Sequence, residues 1–425
     1  MSQRSLKIVL LSYHNQNGGA GIACGRLYTA LKNAGHQVHY LVQEKTGQDE
    51  SVPLSNSLGS KLMAFLRFVG ERLYFRFYEK DSSIRFLFNP GIFGTDISKH
   101  SLIKNADIIH LHWVNFGFLS IQNIRQLTEL GKPTFWTLHD MWAFTGGCHH
   151  SGHCDRYKEF CGQCKFLKRP SFHDLSHRLW REKVFAFDSD NLRFITCSNW
   201  LAHKAKESSL LMNHEINAIP NAIDLSIFKN SDKKVVRKNM GLSEDKSYLL
   251  FVAMRVSAPN KGFEYLTGAL EIWKNSYPTD AINTEVLIIG EVANKELLTS
   301  LPLAHQVLGK ITDVNEMVNI YNASDVFITP SLEENLPNTI MEALSCGTGC
   351  LGFEVGGIPE MIDHLSNGYV AKFKDKEDLA HGIQVCLTNK WEFSRKAREK
   401  AQQNYAETTI AEQHTQLYLN SLNNV

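Results

Sequence analysis

Two carboxylates eight residues apart open the chemical reading of this chain. Glu334 and Glu342 lie in the segment Pro330 to Ala343, where Pro337 precedes a run of helix formers. Proline suits the first turn of a helix, because its missing N–H would have had no partner there. The spacing predicts a helix entered at Pro337, with Asn338, Thr339 and Ile340 offering backbone N–H groups at its start. Such a terminus attracts phosphate through both its N–H groups and its dipole. Glu334 then falls in the preceding loop and Glu342 about one turn inside the helix. A carboxylate is a strong acceptor, so one can bind sugar hydroxyls and the other both hydroxyls of a ribose. Taken alone, the pair reads first as two solvated helix-end acids.

Four of the nine cysteines crowd into Cys148, Cys154, Cys161 and Cys164, with His149, His150 and His153 among them. The Cys161-Gly-Gln-Cys164 knuckle with two further thiols suits a structural zinc ion. Two disulfides and free thiols are the alternatives, and a reducing compartment favours metal over disulfides. The other five cysteines read as buried thiols. Lys61 to Tyr78 interleaves basic residues with aromatics. Its simpler reading is a helix packed on its own domain or acting as a lid. The alternative is a basic amphipathic helix lying on an anionic membrane surface.

The elements that must position these groups follow from patterning. The chain has 425 residues and a formal net charge of +1. Two domains of ordinary size are expected, with no global basic field for nucleic acid. No apolar run approaches the roughly 20 residues needed to span a bilayer, and Leu6 to Ser12 reads as a strand rather than a secretory signal. Cytoplasmic residence is expected. Gly18 to Gly21 reads as a flexible loop, Ile22 to Ala34 as a helix ended by Gly35, and Gln37 to Val42 as the next strand. Further strands are expected at 106–112, 133–138, 194–197 and 215–219, then at 247–254, 285–289, 326–329 and 349–353. Strands alternating with helices imply parallel sheets covered on both faces. A polar, lysine-rich stretch after Ile219-Pro220-Asn221-Ala222 marks a boundary, giving domains 1–222 and 223–399. Ligands of such sheets sit at strand carboxyl ends, and two domains facing each other create one cleft.

Glu334-x7-Glu342, followed by Gly356-Gly357-Ile358-Pro359-Glu360, resembles the retaining family 4 glycosyltransferases of GT-B fold. Upstream, Arg255 at a strand end and Lys261-Gly262 shortly after it match the same pattern, and the motifs run in family order over nearly the whole chain. The resemblance implies an α/β fold of two Rossmann-like domains, with the last helix, about 400–425, crossing back onto the first. It implies that Arg255 and Lys261 hold the donor diphosphate, and fixed cations do stabilise the charge a leaving nucleoside diphosphate gains. Donor contacts are implied at Gly19, Ile311, Glu334, Asn335, Leu336, Asn338, Thr339 and Glu342. Gly309-Lys310-Ile311 stands where the family reads the nucleobase. Gly290-Glu291-Val292 departs from the family's Gly-x-Gly. Near the N-terminus, Gly19 and Gly21 fit a dinucleotide fingerprint but the third glycine, Gly25, comes one position late, so a nicotinamide cofactor is not expected.

His139-Asp140 ends a strand where the family has a His-Asp pair. The resemblance implies that His139 contacts the transferring sugar, with Asp140 orienting it or touching the acceptor. His110 and His112 are further candidates. No nucleophile presents itself, so front-face attack is expected, with the leaving phosphate as base and no catalytic metal. The implied partners are a nucleotide-sugar donor and a saccharide or lipid-linked acceptor in bacterial surface polysaccharide assembly, with peripheral membrane association. Nucleotide-sugar epimerisation or hydrolysis on the same fold is one alternative, and a non-catalytic scaffold of a polysaccharide assembly complex is another. Intact Arg255, Lys261, Glu334 and Glu342 speak against a decayed site.

Overall fold

The computed structural model describes residues 4–294 and 296–423. They form two compact units, Met1–Ala222 with Thr408–Val425, and Ile223–Glu407. The return to the first unit therefore starts at Thr408. The helix Lys390–Asn404 stays with the second unit, where Arg398 donates to the carbonyls of Phe228 and Ser345, both at 2.6 Å.

The first unit is built on seven strands, β1 (Lys7–His14), β2 (Gln37–Glu44), β3 (Val52–Pro53), β4 (Ile108–Leu111), β5 (Thr134–Leu138), β6 (Leu192–Thr196) and β7 (Ile216–Ala218). Their order is β3-β2-β1-β4-β5-β6-β7, with every pair parallel. Alternation along β1 splits the core in two. Val9 and Leu11 enter one apolar cluster; Leu6, Ile8 and Leu10 enter the other, which Ile410, Ala411 and Tyr418 of the helix Glu407–Asn423 complete. Apolar burial on both faces is what an all-parallel sheet requires. The expected glycine loop is not a loop: the first helix runs Gly18–Asn33, so Gly19 and Gly21 lie in its opening turns. Tyr40 Oη closes that junction by donating toward the carbonyls of His14 (3.0 Å) and Gly21 (3.2 Å).

The second unit repeats the plan with β8 (Ser247–Arg255), β9 (Thr284–Glu291), β10 (Ala304–Gly309), β11 (Val326–Thr329), β12 (Gly349–Phe353) and β13 (Gly368–Ala371), in the order β10-β9-β8-β11-β12-β13, all parallel. In both sheets the order reverses beside the first strand, between β1 and β4 and between β8 and β11. Open α/β sheets bind ligands at that switch point, outside the carboxyl ends.

At the amino ends of the second sheet one carboxylate gathers the elements. Asp325, 1 % exposed, pairs with Arg237 at 2.7 Å and Lys233 at 3.0 Å, and accepts the Tyr248 N–H at 2.9 Å. It ties the helix Lys233–Asn239 to the starts of β8 and β11. Removing one partner of a buried pair strands the other charge, at a cost of about 3–5 kcal/mol. Asp325→Asn is therefore expected to lower unfolding stability by roughly that amount, read from the urea midpoint, while Arg125→Ala, at the exposed ion pair with Glu129, costs under about 1 kcal/mol.

Candidate functional site

In the second unit the carboxyl ends of β8 and β11 bring together residues far apart in sequence. Arg255 is the last residue of β8; its side chain is 75 % exposed and only loosely paired with Glu291, 4.0 Å away on β9. Six residues later Lys261 ends a short turn and forms an ion pair with Glu334 from the loop after β11. Two glycines hold these loops in register. Gly262 (φ +68°) lies so close to Pro330 that a Cβ would collide with its carbonyl, and Gly356 (φ +60°) stands the same way against the carbonyl of Glu334. Left-handed backbone with no room for a side chain is a position only glycine fills without strain. Leu332 N donates to Asn260 O and Gly357 N to Asn335 O, both at 2.8 Å. The Gly356-Gly357 segment thus braces the loop that carries Glu334.

The helix Asn338–Ser345 begins beside this pair, with Pro337 capping it. Asn338 and Thr339 lie half-buried in its first turn. Ile340 differs from expectation: its N–H is bonded to Pro337 O at 3.1 Å, because the turn tightens there. Glu342 is buried, and Tyr321 Oη donates to it at 2.9 Å. Asn335 and Leu336 are buried under the same loop. At the ends of β9 and β10 lies a cavity of about 390 Å³ lined by Gly290, Glu291, Val292, Leu298, Val307 and Gly309 with Lys310. Ile311 follows directly in sequence.

In the first unit, His139 follows β5 and His112 follows β4. Their rings stack at 5.3 Å, and His112 Nδ1 lies 3.0 Å from His139 Nε2. Cys197 Sγ is 3.5 Å from His139 Nδ1. Burial lowers the pKa of His139 to about 4, against a smaller opposing effect of Asp140. Asp140 accepts from other groups: Trp113 Nε1 at 3.0 Å, His149 Nδ1 at 2.8 Å and Trp142 N at 2.8 Å. Burial disfavours its charge, but His149 and the Trp142 N–H outweigh burial and hold the carboxyl well below the usual range. Asp140 thus orients His149 and the turn after β5. His110 is fully buried, 2.7 Å from both Tyr418 Oη and Thr137 Oγ1, and serves the core rather than a ligand.

The cysteine-rich segment folds over this turn. Lys183, wholly buried, donates to the carbonyls of Trp142 and Thr145. Cys161 Sγ accepts from Gly146 N at 3.1 Å, and Cys164 N donates to Asp174 at 2.8 Å. Cys148, Cys154, Cys161 and Cys164 are free thiols, not disulfides. Among the described residues no three His, Cys, Asp or Glu side chains are grouped to hold a metal ion.

Residues 232–404 match the family model for glycosyl transferases group 1, and residues 17–227 match that for glycosyltransferase family 4. The chain belongs to the group 1 glycosyltransferases. N-acetyl-alpha-D-glucosaminyl L-malate synthase of Bacillus anthracis is 25 % identical over 226 residues, 49 % of this chain and 55 % of that protein. This glycosyltransferase chain spans about half the length of the curated relatives it matches. Sucrose-phosphate synthase of Thermosynechococcus elongatus superposes with a TM-score of 0.65 at 18 % identity, over 98 % of this chain and 99 % of that one. HepE of Anabaena in complex with UDP-glucose gives 0.61 at 16 %, over 99 % and 100 %. Both show the Rossmann-like two-domain GT-B fold.

Sequence reasoning placed His149 in the cysteine cluster and Cys197 among the buried thiols without their contacts to Asp140 and His139, and it missed Lys183. His149 and Lys183 act through Asp140 and the turn carbonyls, contacts that only folding creates. Among the described residues no helix is long and apolar enough to cross a membrane.

Four buried histidines share one titration consequence. Burial lowers His139 to about 4 and His414 to about 3, and holds His110 and His112 well below their ordinary value of 6.5. The unfolded chain then binds more protons below pH 6.5, so stability present above that pH is lost as pH falls toward the folded values. Unfolding stability is expected to fall steadily from pH 6.5 to 4, by up to about 1.4 kcal/mol per pH unit for each histidine, seen as a falling melting temperature by circular dichroism.

Proposed function

We propose that this chain transfers a glycosyl group, with retention, from a nucleoside-diphosphate sugar to a saccharide or lipid-linked acceptor in bacterial cell-surface polysaccharide assembly. The observation that carries the reading is the Lys261–Glu334 pair at the carboxyl edge of the second sheet, with exposed Arg255 and a helix N-terminus beside it. Cations and N–H groups suit the diphosphate, and a carboxylate held among them suits sugar hydroxyls. The cavity at the ends of β9 and β10, with its aliphatic lining of Val292, Leu298 and Val307, is assigned to the base. HepE with UDP-glucose makes UDP-sugars the first donors to test.

In the reaction, the bond from the anomeric carbon to the β-phosphate oxygen breaks and the diphosphate keeps the electron pair. The acceptor hydroxyl bonds to the same face of that carbon, and its proton passes to the departing phosphate oxygen. Arg255 and Lys261 stabilise the charge that grows on the diphosphate. Glu334 positions the sugar. His139, neutral at physiological pH, is assigned to the sugar and Asp140 to the acceptor side.

A thermal-shift screen against UDP-, GDP- and ADP-sugars is expected to single out one nucleotide. Lys261→Ala should abolish that shift and lower kcat/KM on the order of 10²–10³-fold, the scale for losing one fixed charge-stabilising donor, in an assay of nucleoside diphosphate release. Release that is unchanged when saccharide or lipid-linked acceptors are added would instead indicate hydrolysis. No shift with any nucleotide would count against the donor site.

A further inference from the structure

The helix Leu58–Arg76 is apolar on the side that faces solvent. Leu58 is 88 % exposed, Phe65 60 % and Phe77, just past the helix end, 80 %; Leu62, Leu66 and Leu73 are each at least half exposed. Positions 58, 62, 65, 66, 73 and 77 fall on one helical face. The opposite face, Ala64, Glu71, Arg72 and Phe75, is buried. Packing on its own domain, the simpler expectation for this segment, therefore accounts for one face and leaves the other uncovered. A contiguous row of exposed large apolar side chains marks an interaction surface.

The charges around the stripe point to its partner. Glu71, the helix's one carboxylate, is turned inward, where it accepts the N–H groups of Gly91, Ile92 and Phe93. The charges the helix leaves at the surface, Lys61, Arg67 and Arg76, are all basic. At its end the stripe meets a cavity of about 600 Å³ whose lining includes Phe77, Tyr78, Lys168, Arg169, His173 and Arg178. Lys168 Nζ donates to Arg76 O at 3.3 Å, and the Arg178 guanidinium sits 5.4 Å from the Tyr78 ring, which joins cavity and helix. Asp174 also lines it, but its carboxylate is saturated by the N–H groups of Cys164 (2.8 Å), Ser176 (2.9 Å), Ser171 and His177. Glu182, one turn beyond Arg178, is the neighbouring exposed acid. An apolar stripe along a 19-residue helix that ends in a cationic hollow fits a surface of acyl chains and phosphate headgroups.

We propose that the solvent face of the Leu58–Arg76 helix and the Lys168–Arg169–Arg178 cavity together dock this chain on an anionic phospholipid bilayer. The helix lies in the interface with its stripe among the acyl chains, and headgroup phosphates occupy the cavity. The proposal does not depend on which donor the second unit binds.

Co-sedimentation of the full chain with vesicles tests it. Binding to equimolar phosphatidylglycerol–phosphatidylcholine vesicles is expected, at least about tenfold tighter than to phosphatidylcholine alone and weakened by salt. Phe65→Ser/Phe77→Ser should lose binding at least about tenfold, and Lys168→Ser/Arg169→Ser/Arg178→Ser should lose the preference for anionic vesicles. All five positions are exposed, so melting temperature and any nucleotide-induced shift should stay unchanged, which separates this result from a failure of the donor reading. Absence of binding, equal binding to both vesicle types, or charge variants that bind as well as the native chain would each overturn the proposal. So would a concentration-dependent dimer, seen by light scattering and lost in Phe65→Ser/Phe77→Ser, which would give the face to a second copy of the chain.

Discussion

Parallel strands cannot be joined by a tight turn, and the rest of this structure depends on that constraint. Each strand must return through a crossover, so every strand in a sheet points its carboxyl end to the same edge. Loops that leave that edge are the ones free to vary in length and chemistry. Lys261 and Glu334 meet there in one unit, with Arg255 at the end of β8, and His112, His139 and Asp140 lie there in the other. The opposite edge carries the Asp325 cluster, which ties elements together and presents nothing to a ligand.

Within each site, burial and charge are set against each other. Lys261 and Glu334 are partly shielded, and each neutralises the other's charge. Arg255 stays exposed, so a diphosphate can reach it without breaking a buried pair. In the first unit burial keeps His139 neutral, while Asp140 stays charged because three N–H donors surround it. These are different solutions to the same cost of removing charge from water.

Much of the fold was legible because buried parallel strands read as continuous apolar runs. β11 and β12 fall where the apolar runs 326–329 and 349–353 put them. β10 escaped because Ala304–Gly309 is an edge strand, half-exposed, with His305 and Gln306 in its middle. β13 is four residues long and opens with Gly368, too short to show a period. The glycines at 18–21 read as a loop by propensity, yet they start a helix, since packing against β1 and β2 overrides a local preference.

Sequence by itself determined the class of the protein, the two α/β units and the candidate donor residues, because Glu334, Glu342, Arg255 and Lys261 stand in local motifs whose spacing survives folding. Only the tertiary structure decided which partners those residues have. It put Tyr321 on Glu342, His149 rather than His139 on Asp140, and four cysteines in place as free thiols. It also decided that the apolar residues of the Leu58–Arg76 helix face outward. The physical reason is range: motif and periodicity act over a few residues along the chain, whereas burial and hydrogen-bond partners are set by segments tens or hundreds of residues apart.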